Sequence, residues 1–571
     1  MTMDRRELTA PCGLDCFNCN LYEENLTEEY RAKVAAYRNI APENVACRGC
    51  RAEQGKCRYA QFGCATWDCA QKKQVSYCYE CNEFPCGLLA PTAKGANFPH
   101  NMKVYNLCRM KLLGLDAWAA EAAHIRKRYY EGEFVVGQGP ILKEGLTLLL
   151  IGSGGREHAI CAALKKNSEV TKVYAIPGNG GMAEIAECVP EIKATEIEKI
   201  CEWAEGHRID FAVPAADDPL CLGAVDALEA MGIPCFGPDK AAAQIEGSKV
   251  FSKDLMKKYG IPTASYEVFG DAGAALAYLD TYEAYPVVIK ADGLALGKGV
   301  IIAQSRDEAR AAVREIMEDK KFGASGSRIV VEEFLTGPEV SVLSFADGKT
   351  VVPMVSSMDH KRARDNDEGL NTGGMGVIAP NPFYTPEIAV RCMEEIFKPT
   401  IAAMAQEGRP FKGCLYFGLM LTPQGPKVIE YNCRFGDPEC QAILPLLETD
   451  LLEIFRACRE GQLHELDIHW REGHACCVVL ASGGYPEKYT TGFPIAFGDT
   501  GDAAIYHAGT KRLPDGTAVT AGGRVLNVVA LGDTLPEAVA RAYEAAGKIT
   551  FEGAFCRGDI GRRAMEAETD G

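Results

Sequence analysis

Apolar segments alternate with glycine-rich turns and helical segments in the stretch that begins at Leu146. The sequence LTLLLIGSGGREHAICAAL (146–164) has the pattern of a buried strand, a glycine turn and a helix. The strand-then-loop pattern recurs in VTKVYAIPGNGG (170–181) and IDFAVPAADDPL (209–220), with helical stretches between them. This alternation predicts a parallel α/β sheet that binds ligands at the carboxyl ends of its strands.

The pattern of apolar, polar and cysteine-rich segments along the whole chain predicts an α/β and α+β multidomain protein. A small cysteine-rich module is expected at 1–114, followed at 115–145 by a helix, LDAWAAEAAHIRKRYYE, and a linker. An α/β domain is expected at 146–246, a larger α+β domain at 247–444, and a small mixed domain rich in short strands at 445–571. A chain of 571 residues is long enough for several domains, each with its own core.

The segment VIEYNCRFGDPECQ (428–441) is a strand that stops in a charged turn. Side chains alternate along a strand, so Glu430 and Asn432 are expected on one face, with Arg434 following two residues later. Two hard oxygen ligands suit Mg²⁺, and an arginine can bind a phosphate or carboxylate through two parallel hydrogen bonds. The segment therefore predicts a site for a metal and phosphates.

The turn GSGGREH (152–158) follows one strand and opens a helix, as phosphate-binding turns do. An unliganded tight turn explains this stretch equally well. The dinucleotide fingerprint G-x-G-x-x-G is not matched, because Glu157 occupies the third glycine position. The second strand ends in AIPGNGG rather than in an acidic residue, which also disfavours a dinucleotide.

In YPVVIKADGLALGKGV (285–300) an apolar strand ends in Lys290, and a glycine-rich loop with a second cation, Lys298, follows. A lysine on a rigid strand can bind a phosphate while the loop folds over it, although the Walker pattern is absent. The alternative is a β-hairpin with exposed lysines.

In RIVVEEFLTGPEVSV (328–342) an acidic edge could bind adenine and ribose, or could simply be solvated. MDHKRARDNDEGLNTGGMG (358–376) is predicted to be a long polar loop, either functional or disordered.

Composition limits the classes of partner. The formal net charge of −17 argues against binding nucleic acid or a membrane surface through a basic face. The amino-terminal sequence MTMDRRELTA lacks the apolar stretch of a signal peptide, and no run of apolar residues is long enough for a transmembrane helix. We therefore expect a cytoplasmic protein that acts on small molecules, as a monomer or a dimer.

Beyond residue 146 the chain closely resembles the phosphoribosylamine–glycine ligases of the ATP-grasp superfamily. The resemblance covers about 146–567 and is carried, in the family's order, by GSGGREHA, PGNGG, GIPCFGP, AAQIEGSK, KADGLALGKGV, EEFLTGPEVS, DHKR, NTGGMG, RFGDPECQ, AGGRVLNVVALG and RGDIGRRA. It implies an α/β pre-ATP-grasp domain, an ATP-grasp domain and a small C-terminal domain. The implied reaction joins glycine to 5-phosphoribosylamine with ATP, through glycyl phosphate, in purine biosynthesis.

The resemblance also implies a role for each matching residue. Mg²⁺ or Mn²⁺ would be held by Glu430 and Asn432, and Arg434 and Lys290 would be catalytic. ATP would be bound by Lys249, Lys290, Gly297, Lys298, Glu332, Glu333, Leu335 and Glu339. Glycine and phosphoribosylamine would be bound by Gly154, Gly155, Asn179, Asp217, Asp359, Asn371, Thr372 and Gly373.

Two departures from the family pattern affect these roles. The strand before Glu430, CLYFGLMLT, carries no carboxylate, so a second active-site metal is less certain than the first. The family commonly reads Pro-Glu-Ala-Pro-Leu after the third strand, where this chain has PAADDPL, with Asp217 and Asp218. The ribose contact expected there is correspondingly uncertain in position.

Twelve of the 25 cysteines lie between Cys12 and Cys108, at short spacings. The pairs CRGC and CYECNEFPC favour a thiolate site for zinc or an iron–sulfur cluster, with the candidate ligands Cys12, Cys16, Cys19, Cys47, Cys50, Cys78, Cys81 and Cys86. C-x3-C-x2-C at the first three is also the spacing of radical-SAM enzymes, but the segment is too short for their barrel. A reduced, metal-free fold is the remaining alternative. The segment resembles small bacterial cysteine-rich domains of unassigned function.

Two other functions compete with the ligase. One is another purine-pathway ATP-grasp enzyme, which RFGDPE and NTGGMG disfavour. The other is a regulatory, metal-sensing protein built on a ligase scaffold. A scaffold that had lost catalysis would be expected to lack Lys290, Glu430 or Asn432, and all of them are present.

Overall fold

The computed structural model describes residues 6–57, 62–89, 102–119, 122, 133–135, 139–141, 145–294, 299–319 and 323–569. The chain forms two compact units, Met1–Gly145 and Leu146–Gly571. Within the described ranges, no helix combines the length and apolar character that crossing a membrane requires.

The first unit is built from short elements around a small core. Its helices are α1 (Glu28–Arg38), α2 (Ala65–Lys73) and α3 (Lys103–Leu113), and its strands are β1 (Lys56–Cys57), β2 (Phe62–Gly63), β3 (Glu133–Val135) and β4 (Gly139–Ile141). Phe17, Leu107, Met110 and Trp118 are buried in this core.

The connecting segment of the first unit is only partly described. The predicted helix from residue 115 is helical over 115–119, and most of its remainder lies outside the described residues. In the predicted linker, β3 and β4 pair as an antiparallel hairpin.

The amino-terminal domain of the second unit is a parallel sheet flanked by helices. Its strands are β5 (Leu146–Gly152), β6 (Val170–Pro177), β7 (Glu187–Cys188) and β8 (Phe211–Pro214). Its helices are α4 (Gly155–Leu164), α5 (Ile197–Glu205), α6 (Asp217–Leu222), α7 (Ala224–Ala230) and α8 (Gln244–Gly247). The strand order is β7-β6-β5-β8, and every pairing is parallel. Nearly every residue of β5 is buried because helices cover both faces, which confirms the predicted α/β fold.

Two antiparallel sheets form most of the central region. Its strands are β9 (Tyr266–Phe269), β10 (Val287–Ala291), β11 (Val300–Ala303), β12 (Ile329–Glu333), β13 (Glu339–Asp347), β14 (Val351–Pro353), β15 (Met358–Asp359), β16 (Arg362–Arg364), β17 (Glu368–Asn371), β18 (Gly376–Ala379), β19 (Lys412–Thr422) and β20 (Gly425–Asn432). Its helices are α9 (Lys249–Tyr259), α10 (Ala272–Thr281), α11 (Arg306–Val313), α12 (Pro386–Cys392), α13 (Lys398–Gln406) and α14 (Glu439–Ile443).

One of these sheets has the order β11-β10-β12-β9 and the other β14-β13-β19-β20. The stretch 358–376, which we expected to be a loop, contains the hairpin β16–β17 and the short strand β15. Its polar side chains hid these strands because a hairpin exposed to solvent needs no apolar face.

The carboxy-terminal region carries a five-stranded sheet in the order β15-β18-β21-β26-β23. The remaining elements are β21 (His474–Ala481), β22 (Ala496–Phe497), β23 (Ala504–His507), β24 (Thr510–Arg512), β25 (Ala518–Thr520), β26 (Arg524–Gly532), β27 (Ile549–Thr550), α15 (Leu451–Glu460), α16 (Leu535–Ala546) and α17 (Arg562–Thr569). Strand β18 pairs with β21, so this sheet includes strands from both sides of residue 444.

Candidate active site

An irregularity in β20 directs Glu430 and Asn432 away from the core. Gly418 pairs with Glu430 while Leu419 pairs with Val428, so Ile429 is an extra residue on its strand. Val428 and Tyr431 consequently enter the same hydrophobic core, and the two polar residues are left half-buried. A side chain at position 418 would lie 3.1 Å from Glu430 Cγ, so glycine leaves room for the carboxylate.

The extra residue also brings a lysine to the site. Lys290 Nζ at the end of β10 donates to the carbonyl oxygen of Ile429 at 3.0 Å and lies 3.1 Å from Glu332 Oε2. Lys253 Nζ lies 2.9 Å from the same carboxylate oxygen. All three charged side chains are almost fully buried, and the lone carboxylate is shared by two lysines.

Lys361 connects two further carboxylates. Its Nζ lies 3.2 Å from Glu339 Oε2 and 3.8 Å from Glu430 Oε1. Burial acts to raise the pKa of Glu430, but Lys361, Lys290 and Lys249 together lower it below its ordinary value. Glu430 is therefore a carboxylate at neutral pH, as a ligand for a hard divalent cation must be. Within the described residues, its partner on this face of β20 is Asn432, which adds a neutral oxygen.

The other residues expected at the nucleotide have specific partners. Lys249, at the start of α9, donates to the Gly293 carbonyl oxygen at 3.1 Å. Burial lowers the pKa of Lys249, although Glu430 acts to raise it. Glu333 accepts from Ser265 Oγ at 2.7 Å and pairs with Lys427 at 3.0 Å. Leu335 is half-buried in the connection between β12 and β13.

Gly297 and Lys298 lie outside the described residues.

Arg434 lies beyond the end of β20, and its charge still acts on Glu430 to lower the pKa of that carboxyl. Arg434 Nη2 lies 3.1 Å from Glu246 Oε1 and 4.0 Å from Asp217 Oδ2. Burial acts to raise the pKa of Asp217, but Arg434 and Arg156 lower it below its ordinary value. Arg434 Nε is shielded from solvent and has no hydrogen-bond partner in the described structure.

The glycine turn after β5 is closely packed. The Gly154 N–H donates to Glu157 Oε2 at 2.6 Å, so the glutamate at the third position of α4 caps the helix. A Cβ at Gly155 would overlap the Asn527 amide and lie 2.6 Å from Gln441 Nε2. Asn179 donates to the carbonyl oxygens of Ser153 and His507 at 2.9 Å and 2.8 Å.

The Asn179 side-chain oxygen accepts from the backbone N–H groups of Gly181 and Met182. Both ends of this amide are thus engaged by the backbone, and Asn179 positions the turn.

The half-buried Asp359 and the buried Glu439 form an acidic pair. Burial raises the pKa of Asp359 well above its ordinary value, and Glu439 raises it further. Burial likewise raises the pKa of Glu439. Asp359 Oδ1 is shielded from solvent without a hydrogen-bond partner among the described residues. A cation bound against this pair would relieve both the repulsion and the unmet hydrogen bond.

The NTGG segment is tied to the same region. Thr372 donates through its backbone N–H and its hydroxyl to the Lys361 carbonyl oxygen. Arg524 Nη1 donates to the carbonyl oxygens of Gly373 at 2.8 Å and Asp437 at 2.7 Å. Asn371 pairs with Arg362 in the β16–β17 hairpin.

Family models match the chain in consecutive segments. Phosphoribosylglycinamide synthetase matches as its N domain at 146–246, its ATP-grasp (A) domain at 247–440 and its C domain at 475–563. The phosphoribosylamine–glycine ligase of Caldanaerobacter subterraneus subsp. tengcongensis is 48% identical over 417 residues, 73% of this chain and 99% of that protein. That of Rhizobium meliloti is 49% identical over 426 residues, 74% of this chain and all of that protein.

The chain belongs to the phosphoribosylglycinamide synthetase family. The resemblance inferred from the motifs is therefore confirmed.

Solved structures agree with this assignment. The crystal structure of a phosphoribosylamine–glycine ligase from Thermotoga maritima has a TM-score of 0.65 and 35% identity, covering 73% of this chain and all of that one. A biotin carboxylase domain from Hydrogenobacter thermophilus, at 16% identity and a TM-score of 0.57, shares the fold alone. Residues 8–91 match a different model, described as a protein of unknown function (DUF3795).

Three charged residues that the fold places beside the candidate site were missed in the sequence analysis. Lys253 lies one helical turn after Lys249 on α9, a spacing that could have suggested it. Glu439 stands within the quoted RFGDPECQ motif, and its burial among charges became visible only in the fold. Arg524 comes from the distant strand β26, so no local signal links it to the NTGG segment.

The predicted cysteine ligands fall into two groups. The first group surrounds Cys50. A hydrogen bond with Cys16 is the largest cause of the raised pKa of Cys50, followed by burial and by the neighbouring sulfurs of Cys16, Cys12 and Cys47. Cys78, Cys81 and Cys86 lie in the second group. Cys19 is half-buried at the end of the 3-10 turn that begins at Cys16. In the part of the chain that is described, no three histidine, cysteine or acidic side chains are arranged to hold a single metal ion.

Proposed function

We propose that the protein joins glycine to 5-phosphoribosylamine at the expense of ATP, giving glycinamide ribonucleotide, ADP and phosphate for purine biosynthesis. The observation that carries the proposal is the convergence of Lys290, Lys361 and Lys249 on Glu430, at the end of β20. This arrangement suits a polyphosphate with a divalent cation rather than a covalent nucleophile, because phosphoryl transfer depends on alignment and charge neutralisation.

The reaction divides into two substitutions. A glycine carboxylate oxygen attacks the γ-phosphorus of ATP, the bond to the β-phosphate oxygen breaks, and ADP leaves with its electron pair. The nitrogen of phosphoribosylamine then attacks the acyl carbon of glycyl phosphate, phosphate departs, and the nitrogen gives up a proton. Lys290 and Lys249 hold the ATP phosphates in this scheme, and Lys361 offsets the charge of the acidic residues beside them.

Glu430 and Asn432 are the residues that would hold Mg²⁺ or Mn²⁺. The lowered pKa of Glu430 and the oxygen-only donor set fit such a cation, whose remaining positions phosphates and water can fill. When bound, the cation neutralises charge on the transferred phosphoryl group. Glu332, Glu333, Leu335 and Glu339 are proposed to line the adenosine part of ATP.

The two remaining substrates are proposed to bind on either side of Arg434. The ammonium group of glycine suits the acidic pair of Asp359 and Glu439, because burial raises the pKa of both carboxyls and a bound cation would favour their charged forms. The phosphate of phosphoribosylamine is proposed to bind near the amino end of α4, beside the half-buried Gly154 and the buried Gly155, because a helix amino end favours an anion. Arg434, now paired with Glu246, can turn toward the acyl phosphate.

The test uses the purified full-length chain with radiolabelled glycine. Labelled glycinamide ribonucleotide and ADP should form only when ATP, glycine, phosphoribosylamine and Mg²⁺ are all present, and alanine should not replace glycine. ADP release that is indifferent to glycine would contradict the proposal and favour another purine-pathway ATP-grasp enzyme. The zinc or iron–sulfur site predicted in the amino-terminal module is a separate prediction.

A further inference from the structure

The first unit contains a cavity of about 340 Å³ whose wall includes four cysteines, Cys69, Cys78, Cys81 and Cys86. All four are free thiols. Cys69 was not among the predicted ligands, and it lies in α2. Apolar side chains including Val75, Phe84, Leu88 and Leu89 complete most of the wall.

Successive turns of the backbone bring three of these cysteines to the cavity. Cys78 opens a 3-10 turn that ends with the Cys81 N–H donating to the Cys78 carbonyl oxygen. The Phe84 N–H then donates to the Cys81 carbonyl oxygen, and the Leu89 N–H to that of Cys86. Backbone hydrogen bonds therefore place these cysteines around the cavity, which we call the thiol cavity, without any bond between their side chains.

Cys81 has two polar neighbours in the cavity wall. The Glu83 N–H donates to Cys81 Sγ at 3.4 Å, and Lys73 Nζ lies 3.6 Å from the same sulfur. Lys73 is held in place by Glu83 at 2.7 Å. Hydrogen bonds to the ligand sulfurs are among the means by which a protein tunes an iron–sulfur cluster.

The four sulfurs are close enough to influence one another. Cys86, Cys69 and Cys81 all act electrostatically on the Cys78 sulfur. Four cysteine side chains around one cavity form the ligand set that an iron–sulfur cluster uses.

The size of the cavity distinguishes between metal centres. Four thiolates around one zinc ion sit at about 2.3 Å from the metal, so a single zinc ion needs little of a cavity this size. Nowhere in the described residues do three potential ligands converge as a single ion demands. An iron–sulfur cluster is also held by four cysteine thiolates, but its irons and sulfides occupy the volume between them.

We propose that Cys69, Cys78, Cys81 and Cys86 bind an iron–sulfur cluster in the thiol cavity. The proposal concerns only the first unit and is independent of the ligase reaction. The apolar wall shields the cluster from water on one side, and Lys73 partly offsets its negative charge.

The experiment uses the full-length chain purified without oxygen. Iron and acid-labile sulfide should be present in near-equal amounts, with the visible charge-transfer absorption of a cluster. Cys69→Ser and Cys81→Ser should lose most of this absorption and iron. Cys108→Ser, at an exposed cysteine outside the cavity, and Cys16→Ser, in the other cysteine group, should keep both. Each variant should retain ADP release, so failure of the cluster proposal is distinguishable from failure of the ligase proposal.

Alkylation of the wild-type chain provides a second measurement if the serine variants fail to fold. Mass spectrometry should find the four cavity cysteines protected before iron is chelated and reactive afterwards, with Cys108 reactive in both states. Stoichiometric zinc without sulfide, cluster loss in Cys16→Ser but not in Cys69→Ser, or a folded metal-free module would each overturn the proposal.

Discussion

At the scale of single residues, the charge of Glu430 is set by its neighbours. Burial alone would favour the protonated form, yet Lys361, Lys290 and Lys249 lower its pKa below the ordinary value. Lys290 in turn needs an anionic partner, because its own burial is otherwise unfavourable. The carboxylate and Lys290 are therefore interdependent before any nucleotide arrives.

Replacing Glu430 by glutamine should keep the shape of the side chain and remove the charge that binds the metal. We expect turnover to fall on the order of 100-fold or more, with a higher Mg²⁺ requirement. ADP release measured across a Mg²⁺ titration checks this. Glu395→Gln, on the solvent-exposed pair with Arg391, is the matched control and should behave as wild type. Wild-type turnover of Glu430→Gln at limiting Mg²⁺ would show that Glu430 is not a ligand.

A pair of histidines makes the ligase unit sensitive to acid. His158 Nδ1 accepts the His507 backbone N–H at 2.9 Å, so His158 must be neutral there. Burial lowers the pKa of His158 to about 3 and that of His507 to about 4. Both groups are therefore neutral when folded and protonated when unfolded from about pH 6.5 down to those values. Stability is present above that window and is lost as the pH falls through it.

Each histidine should contribute a slope of up to about 1.4 kcal/mol per pH unit in this window. His158→Asn should therefore flatten the fall in the urea midpoint of the ligase unit between about pH 6.5 and pH 4.5. His464→Asn, at an exposed histidine, should leave the slope unchanged. An unchanged slope in His158→Asn would mean that His158 is already protonated in the folded protein.

The direction in which a side chain points could be predicted from the sequence along a regular strand, but not beyond the end of the strand. Alternation along β20 correctly indicated that Glu430 and Asn432 avoid the core, although the extra residue at Ile429 was invisible in the sequence. Arg434 was extrapolated from the same alternation, which ends with the strand at Asn432. The roles given to all these residues in catalysis stay predictions.

At the scale of elements, the turn from β5 into α4 depends on having no side chain at Gly155. Gly155→Ala would force a Cβ into the Asn527 and Gln441 amides, which are both buried. Overpacking of this kind typically costs about 1–3 kcal/mol, so the melting temperature of the ligase unit should fall. Thermal unfolding checks this against Gly206→Ala, whose new methyl group would meet nothing closer than 3.6 Å. Equal melting temperatures for the two variants would contradict the packing argument.

Elements with a strong apolar pattern were identified from the sequence, and polar ones were not. Strands β5, β6 and β8 stand out because helices bury both faces of their sheet. The β16–β17 hairpin was mistaken for a loop because its stability comes from partners far along the chain. Arg557 Nη1, for example, donates to the Arg362 carbonyl oxygen at 3.1 Å.

At the scale of the whole molecule, the two compact units suggest separable folding. A fragment that starts at Gly145 keeps β5 and everything that follows it, so it should be soluble and retain ligase activity. ADP release by this fragment is the measurement. A fragment that starts at Ser153 lacks the central strand β5 and should not fold. An insoluble or inactive 145–571 fragment would mean that the ligase needs the cysteine module.

The pairing of β18 with β21 has a consequence for damage at the level of the gene. A premature stop codon between residues 447 and 473 would spare all the candidate metal and ATP residues but delete the strand that completes this sheet. Gly376–Ala379 would then present an open row of backbone hydrogen-bonding groups. The shortened product should accumulate as insoluble aggregates rather than as a soluble enzyme with reduced activity. Supplying the missing segment as a separate polypeptide during synthesis should reduce this aggregation.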